Sequence, residues 1–189
     1  MRMPLKSLAD IRVGYSFRTK IEHDPLGAVP VLRIKDVTRE DGVQPGQLPR
    51  LQWSSTEPPP YLAPDDIVLP ARGDHYGAIL APAGPPVVAS SQLFVLTVRD
   101  PNLMPEYLRW ALNRPAAQSY FLTHRAGSSI PMLNKQSLGL LPVQLPSLDT
   151  QQQILALQTL WEQEHRLQQQ LLVNRHKMLD GVFAKLLES

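Results

Sequence analysis

Cysteine is absent from all 189 residues. The chain can therefore form no disulfide, thiolate zinc site, iron–sulfur cluster or cysteine nucleophile, a composition that suits a reducing compartment. Long apolar runs are missing as well. No stretch approaches the roughly 20 apolar residues of a membrane span. Met1–Leu8 is interrupted by Pro4 and Lys6 and lacks the apolar run of a signal peptide, so a soluble, cytoplasmic protein with no membrane partner is expected. Charge of one sign is scarce: 19 Lys and Arg face 17 Asp and Glu, a net +2. Bulk attraction to a polyanion cannot carry the function of so nearly neutral a chain.

Catalytic constellations are missing too. The five histidines, His23, His75, His124, His165 and His176, show no metal-ligand spacing such as HxH or HExxH, and no cofactor is implied. Pro58-Pro59-Pro60-Tyr61 resembles the tetrapeptide of amino-group DNA methyltransferases. That chemistry needs an acceptor side chain at the first position, where this chain has Pro58, so the segment is expected to be a turn. Asp65-Asp66 lacks the downstream acid–x–Lys of a common nuclease site and is expected in a solvated turn. Gly73-Asp74-His75-Tyr76-Gly77 is a glycine-flanked loop without the Lys-Ser/Thr or the three glycines of a phosphate cradle. A chain with many turns and no reactive cluster is suited to recognising rather than reacting.

What is abundant is proline: 19 residues, about twice the usual ~5 %. All of them lie at or before Pro146, and from Asp149 the composition changes to Gln, Leu and mixed charge. This break divides the chain into residues 1–148 and 149–189. The first part holds 15 basic and 12 acidic side chains, the second 4 and 5.

In the first part, short β-branched and apolar runs bounded by Gly, Pro or Asp predict strands at 29–34, 66–69, 78–80, 87–89, 93–98 and 141–145. Pro105 opens a helix over 105–113, a second runs over 116–123, and residues 133–140 include another helical turn. The expected class is α+β, with a mixed or antiparallel sheet and short helices, followed by one long C-terminal α-helix of coiled-coil type. That helix, capped by Asp149 or Thr150, is predicted to run to Leu187, about 57 Å at 1.5 Å per residue. Leu157, Leu160, Leu167, Leu171, Asn174 and Met178 form a seam close to heptad spacing. A rod this long outreaches a ~150-residue domain of radius of gyration about 15 Å, so its seam is expected to pair with another helix. A polar Asn174 in the seam would set register and oligomer state.

Polar and basic residues recur at the turns between buried strands, where base-reading and phosphate-holding side chains would sit. Candidates are Ser16, Arg18, Thr19 and Lys20 after Gly14; Arg33 and Lys35 at the end of the 29–34 strand; Arg72, Asp74, His75 and Tyr76; Ser90, Ser91 and Gln92; and His124, Arg125, Ser128 and Ser129.

Several pieces, in this order, resemble the target recognition domain of type I restriction-modification specificity subunits. They are Leu8-Ala9-Asp10-Ile11 with Gly14-Tyr15-Ser16-Phe17; Val31-Leu32-Arg33-Ile34-Lys35-Asp36-Val37; Tyr61-Leu62-Ala63-Pro64-Asp65-Asp66-Ile67-Val68; Ala89-Ser90-Ser91; and Tyr107-Leu108. The most specific part is Gly127-Ser128-Ser129-Ile130-Pro131-Met132-Leu133-Asn134, then Leu138, Leu141-Pro142-Val143-Gln144-Leu145-Pro146 and the Gln-rich helix start. The resemblance implies a noncatalytic reader of double-stranded DNA. Each recognition domain of that family binds one half of a split target. Long helices space two such domains and dock the DNA methyltransferase subunits and, through the complex, the restriction subunits.

The usual family member carries two recognition domains and two long helices in one chain, whereas this sequence has one of each. A two-fold homodimer through the C-terminal helix is therefore expected, its seam Leu157, Leu160, Leu167, Leu171, Asn174 and Met178, reading a palindromic split site. Arg18, Lys20, Arg72, His75, Ser91, Gln92, Arg125 and Ser129 are expected to face DNA. The alternative is a dimeric adaptor that binds protein and not DNA, with the polar turns as ordinary surface.

Overall fold

The apolar runs become strands wherever a partner lies alongside them. A computed structural model describes residues 1–18, 20–38, 42–73, 76–127 and 131–188. The chain divides into two compact units, Met1–Leu148 and Asp149–Ser189.

In the first unit, β2 (Ala9–Val13), β8 (Leu93–Val98), β5 (Ile67–Pro70) and β6 (Ile79–Leu80) make an antiparallel sheet in that order. β8 is one of its two inner strands, pairing Leu96 with both Ile11 and Ile67. Its first four residues are buried without alternation, as in a strand covered on both faces. A second sheet orders β4 (Arg50–Leu51), β3 (Val29–Leu32) and β7 (Val88–Ala89), with β3 and β7 parallel. β1 (Arg2–Pro4) pairs antiparallel with β9 (Pro142–Gln144).

The expected mixture of parallel and antiparallel pairing is therefore present. Leu32, Val37, Leu48, Leu62, Val68, Val87, Ala89, Leu93 and Val95 form one buried cluster drawn from both larger sheets. Each fully buried Leu or Val contributes about 1.5–3 kcal/mol relative to exposure.

α1 (Leu5–Leu8) links β1 to β2. Pro105 and Pro115 occupy the first positions of α3 (Pro105–Leu112) and α4 (Pro115–His124), where a missing N–H costs nothing. α5 (Lys135–Gly139) is capped by Asn134, whose side chain accepts the Ser137 N–H at 2.7 Å.

Three expectations are corrected. The 29–34 strand ends at Leu32, because the Asp36 carboxylate reaches back to accept the Arg33 N–H at 2.9 Å and opens α2 (Ile34–Val37). Arg33 and Lys35 therefore belong to a helix start and not to a strand end. Asp65 is exposed as expected, but Asp66 is buried, accepting hydrogen bonds from the Ala63 N–H at 3.0 Å and from the Thr97 hydroxyl, with Arg12 at 3.4 Å.

The third correction concerns the long helix. α6 spans Leu148–Leu187, two residues longer at its start than predicted, so Asp149 sits in the first turn and not at the cap. At 40 residues it is about 60 Å long. Leu157, Leu160, Leu167, Leu171 and Met178 are each half or more exposed, and Asn174 is exposed among them. No described helix is long and apolar enough to cross a membrane.

Candidate functional site

The turn after β2 sets the site in place. Gly14 donates its N–H to the Leu93 carbonyl at 2.9 Å, and the Tyr15 N–H donates to Ala89 at 2.7 Å. The two segments lie so close that a Cβ on Gly14 would stand 2.2 Å from the Ser90 carbonyl oxygen. Only glycine fits there, which accounts for the glycine of the Gly-x-Ser-Phe element. Beyond it, Tyr15, Phe17 and Trp53 form an aromatic cluster with ring centroids 4.8–6.4 Å apart.

The turn opposite is equally constrained. The Leu93 N–H donates to Ser90 at 3.0 Å, closing the turn that carries Ser91 and Gln92. The Ala71 N–H donates to the Gln92 carbonyl at 2.9 Å, so the strand leading to Arg72 lies beside that turn.

Between these segments opens a groove of about 470 Å³. Phe17 and Ile34 give it apolar surface. Lys20, Arg33, Lys35, Arg72, Ser91 and Gln92 give it charge and hydrogen-bonding groups. Lys20, Arg72, Ser91 and Gln92, four of the predicted site residues, are thus brought together from three separate segments of the chain.

The cations differ in how far they are occupied. Arg33 is held by Asp36, with Nε to Oδ2 at 2.8 Å and Nη2 to Oδ1 at 2.9 Å, and its own N–H also donates to Asp36. Lys20 reaches Glu22 at 2.9 Å on the exposed surface, an ion pair of little energetic consequence. The side chains of Arg72 and Lys35 have no hydrogen-bond or ion-pair partner among the described residues, and the same holds for Ser91 and Gln92. Arg72, Ser91 and Gln92 are half-buried and Lys35 is exposed.

Arg125 lies beside the groove. Ala126 and Met132 exchange N–H···O bonds at 2.9 and 2.8 Å, and the Leu133 N–H donates to Ala71 at 2.8 Å. This knits the Arg125 segment to the strand before Arg72, and the Arg125 guanidinium donates to the Gly73 carbonyl at 3.3 Å. Gly73 has φ of +109°, a conformation costly for any other residue, so the chain turns sharply just after Arg72. Arg18 is exposed and does not line the groove. His75 and Ser129 lie outside the described residues.

Sequence reasoning passed over Asp36 and Phe17 as parts of this site. The i, i+3 spacing of Arg33 and Asp36 before an apolar helix is the signal that could have found the clamp.

Similarity to known proteins covers most of the chain. Residues 1–172 match the model of the type I restriction modification DNA specificity domain. No curated protein matches the sequence. Among solved structures, the HsdS subunit from Thermoanaerobacter tengcongensis is 19 % identical with a TM-score of 0.64, over 87 % of this chain and 37 % of that one. A structure described as the basis of complex assembly and conformational transition of the type I R-M system is 20 % identical with a TM-score of 0.62, over 87 % and 38 %. The chain thus spans little more than a third of the length of these structures. At such identities the likeness establishes the fold.

Proposed function

This chain belongs to the type I restriction modification DNA specificity domain family, and from that premise we propose that it is the sequence-specific DNA-recognition subunit of a type I restriction-modification system. In this reading residues 1–148 are the target recognition domain and residues 149–189 the dimerisation and spacer helix. Each chain binds one half of a split target and docks the DNA methyltransferase subunits, supplying address and not chemistry.

The groove is the observation that carries this reading. A DNA reader needs cations for phosphates together with neutral donors and acceptors for base edges, on a scaffold stiff enough to hold register. Lys20, Lys35 and Arg72 supply the first, Ser91 and Gln92 the second, and the bonds of Gly14, Ala71 and Leu93 the third. Arg125 extends the basic surface next to Gly73. Arg18, His75 and Ser129 are assigned to the same proposed interface from the sequence alone.

The seam of α6 supports a homodimer. Leu157 at 68 %, Leu167 at 64 % and Met178 at 62 % exposure would each gain from burial against a second copy. Two identical domains about a two-fold axis would read the two halves of a palindromic split site.

A mobility-shift titration with duplex DNA of mixed sequence tests this, run across salt concentrations with and without the methyltransferase subunit. Binding that weakens with salt and is reduced in Arg72→Ala and Arg125→Ala is the expected result. A chain that sediments as a monomer and shifts no duplex under any of these conditions would overturn the proposal.

A further inference from the structure

We infer that Arg72 and Gln92 read two adjacent base pairs of the half-site in the major groove, Arg72 a guanine and Gln92 an adenine. The inference rests on the DNA-reading role proposed above and deepens it. It starts from which polar groups of the groove are already occupied. Arg33 presents its planar fork to Asp36 through Nε and Nη2, so that face is unavailable to a base. Arg125 donates to Gly73, and Lys20 reaches Glu22. Arg72 is the guanidinium in the groove whose side chain meets no acceptor among the described residues, although it is half-buried. A half-buried guanidinium with five donors and no acceptor among the described residues is well suited to take its acceptors from water or a ligand.

Gln92 is the neutral counterpart. Its carbonyl is held by the Ala71 N–H at 2.9 Å, and the Leu93 N–H closes its turn onto Ser90 at 3.0 Å. The backbone is fixed on both sides, and the side-chain amide has no partner among the described residues. A primary amide offers one acceptor beside one donor, the complement of adenine N7 and N6. A guanidinium offers two parallel donors, the complement of guanine N7 and O6.

A shared groove brings the two side chains to one stretch of a ligand. Pro70 pairs with Leu93 across the ladder, and the Ala71–Gln92 bond extends it by one residue. Arg72 therefore falls opposite Ser91 and diagonal to Gln92, and both Arg72 and Gln92 line the same groove, within reach of neighbouring base pairs. Lys20 and Lys35, exposed at the rim, suit phosphates and carry no sequence preference.

The test is selection of the purified full chain against duplexes with a randomised window, followed by sequencing of the bound fraction. Wild type is expected to enrich a half-site with a guanine next to an adenine. Gln92→Glu should change the adenine position alone to cytosine, whose N4 amino group a carboxylate can accept from. Arg72→Lys keeps the charge but loses the bidentate fork, and should weaken the guanine preference roughly ten-fold or more while leaving its neighbour intact. Thermal melting of each variant controls for folding, and Gln92→Ala and Arg72→Ala should lose the same single positions. Variants that enrich the wild-type site unchanged, or that alter positions not adjacent to each other, would overturn the inference and leave DNA reading standing. If wild type enriches no sequence either alone or with the methyltransferase subunit, both fall together.

Discussion

Asn113 pairs with Ala78 as a neighbouring strand would. Its Oδ1 accepts the Ala78 N–H and its Nδ2 donates to the Ala78 carbonyl, each at 2.8 Å. Gln118 repeats the arrangement on Tyr76, accepting its N–H at 3.3 Å and donating to its carbonyl at 2.9 Å. Tyr76 and Ala78, which lead into β6, have their backbone groups met by two side-chain amides from the ends of α3 and α4. Helices distant from the groove in sequence thus hold one end of a loop that borders it.

Replacing Asn113 by Ala leaves a buried N–H and a buried carbonyl without partners. Such groups cost about 1–3 kcal/mol each when unsatisfied, with water entry recovering part of the loss. A fall in unfolding free energy of about 2 kcal/mol is expected in a urea titration. Asn113→Asp, which keeps the acceptor and loses the donor, should fall between.

Asp36→Ala separates stability from binding. Three hydrogen bonds to the carboxylate are lost, all of them charge-assisted, for a cost of about 1–3 kcal/mol. The freed Arg33 adds a cation to the groove. The log–log salt dependence of duplex binding should then steepen by about one unit, since one more phosphate contact becomes possible. A variant that loses stability with an unchanged salt slope would show that Arg33 does not reach the duplex.

Asp66→Ala should be among the most damaging single changes in the first unit. The carboxylate is 2 % exposed and serves the Ala63 N–H, the Thr97 hydroxyl and Arg12 together. About 3 kcal/mol is expected from calorimetric or denaturant unfolding. Asp66→Asn preserves the shape and should cost less.

Gly14→Ala forces a Cβ to within 2.2 Å of the Ser90 oxygen and 2.5 Å of the Ala89 oxygen, both backbone atoms. The strands must separate, at about 1–3 kcal/mol. Because Ser91 and Gln92 follow directly, target discrimination should fall further than the loss of folded protein explains. Binding measured per folded molecule checks this.

On α6, Leu167→Glu with Leu171→Glu should dissociate the proposed homodimer, seen as a change from dimer to monomer in sedimentation equilibrium. Asn174→Leu should act in the opposite direction, tightening association while admitting other registers, as for a polar residue removed from a helix seam.

Much of the fold was legible where its causes are local. β8 was placed over its full length because Leu93–Val98 is a continuous β-branched and apolar run with a turn before it. α3 came within one residue because Pro105 suits a first helical position, and α6 within two because composition changes after Pro146. β1 and β2 went unseen. β1 has three residues, and its partner β9 lies some 140 residues along the chain, so no local pattern announces the pairing. Asp66 was misjudged for the same reason, since its burial depends on Thr97 and Arg12, which the fold brings to it.

The site divides along the same line. Residue types and turn positions already marked Lys20, Arg72, Ser91 and Gln92 as groups able to reach a ligand, because polar side chains between buried strands must lie at the surface. Which of them would meet, and which cations would be left open, was settled by the pairing of distant segments. Arg33 and Arg72 are alike in composition and in setting along the chain, yet one has a carboxylate three residues away in a helical turn and the other faces a groove in which no described residue supplies one. The partner of Arg33 is a local one that i, i+3 spacing announces, whereas the meeting of Arg72 with Phe17, Lys20 and Gln92 is supplied only by the packed sheets, which bring distant segments together.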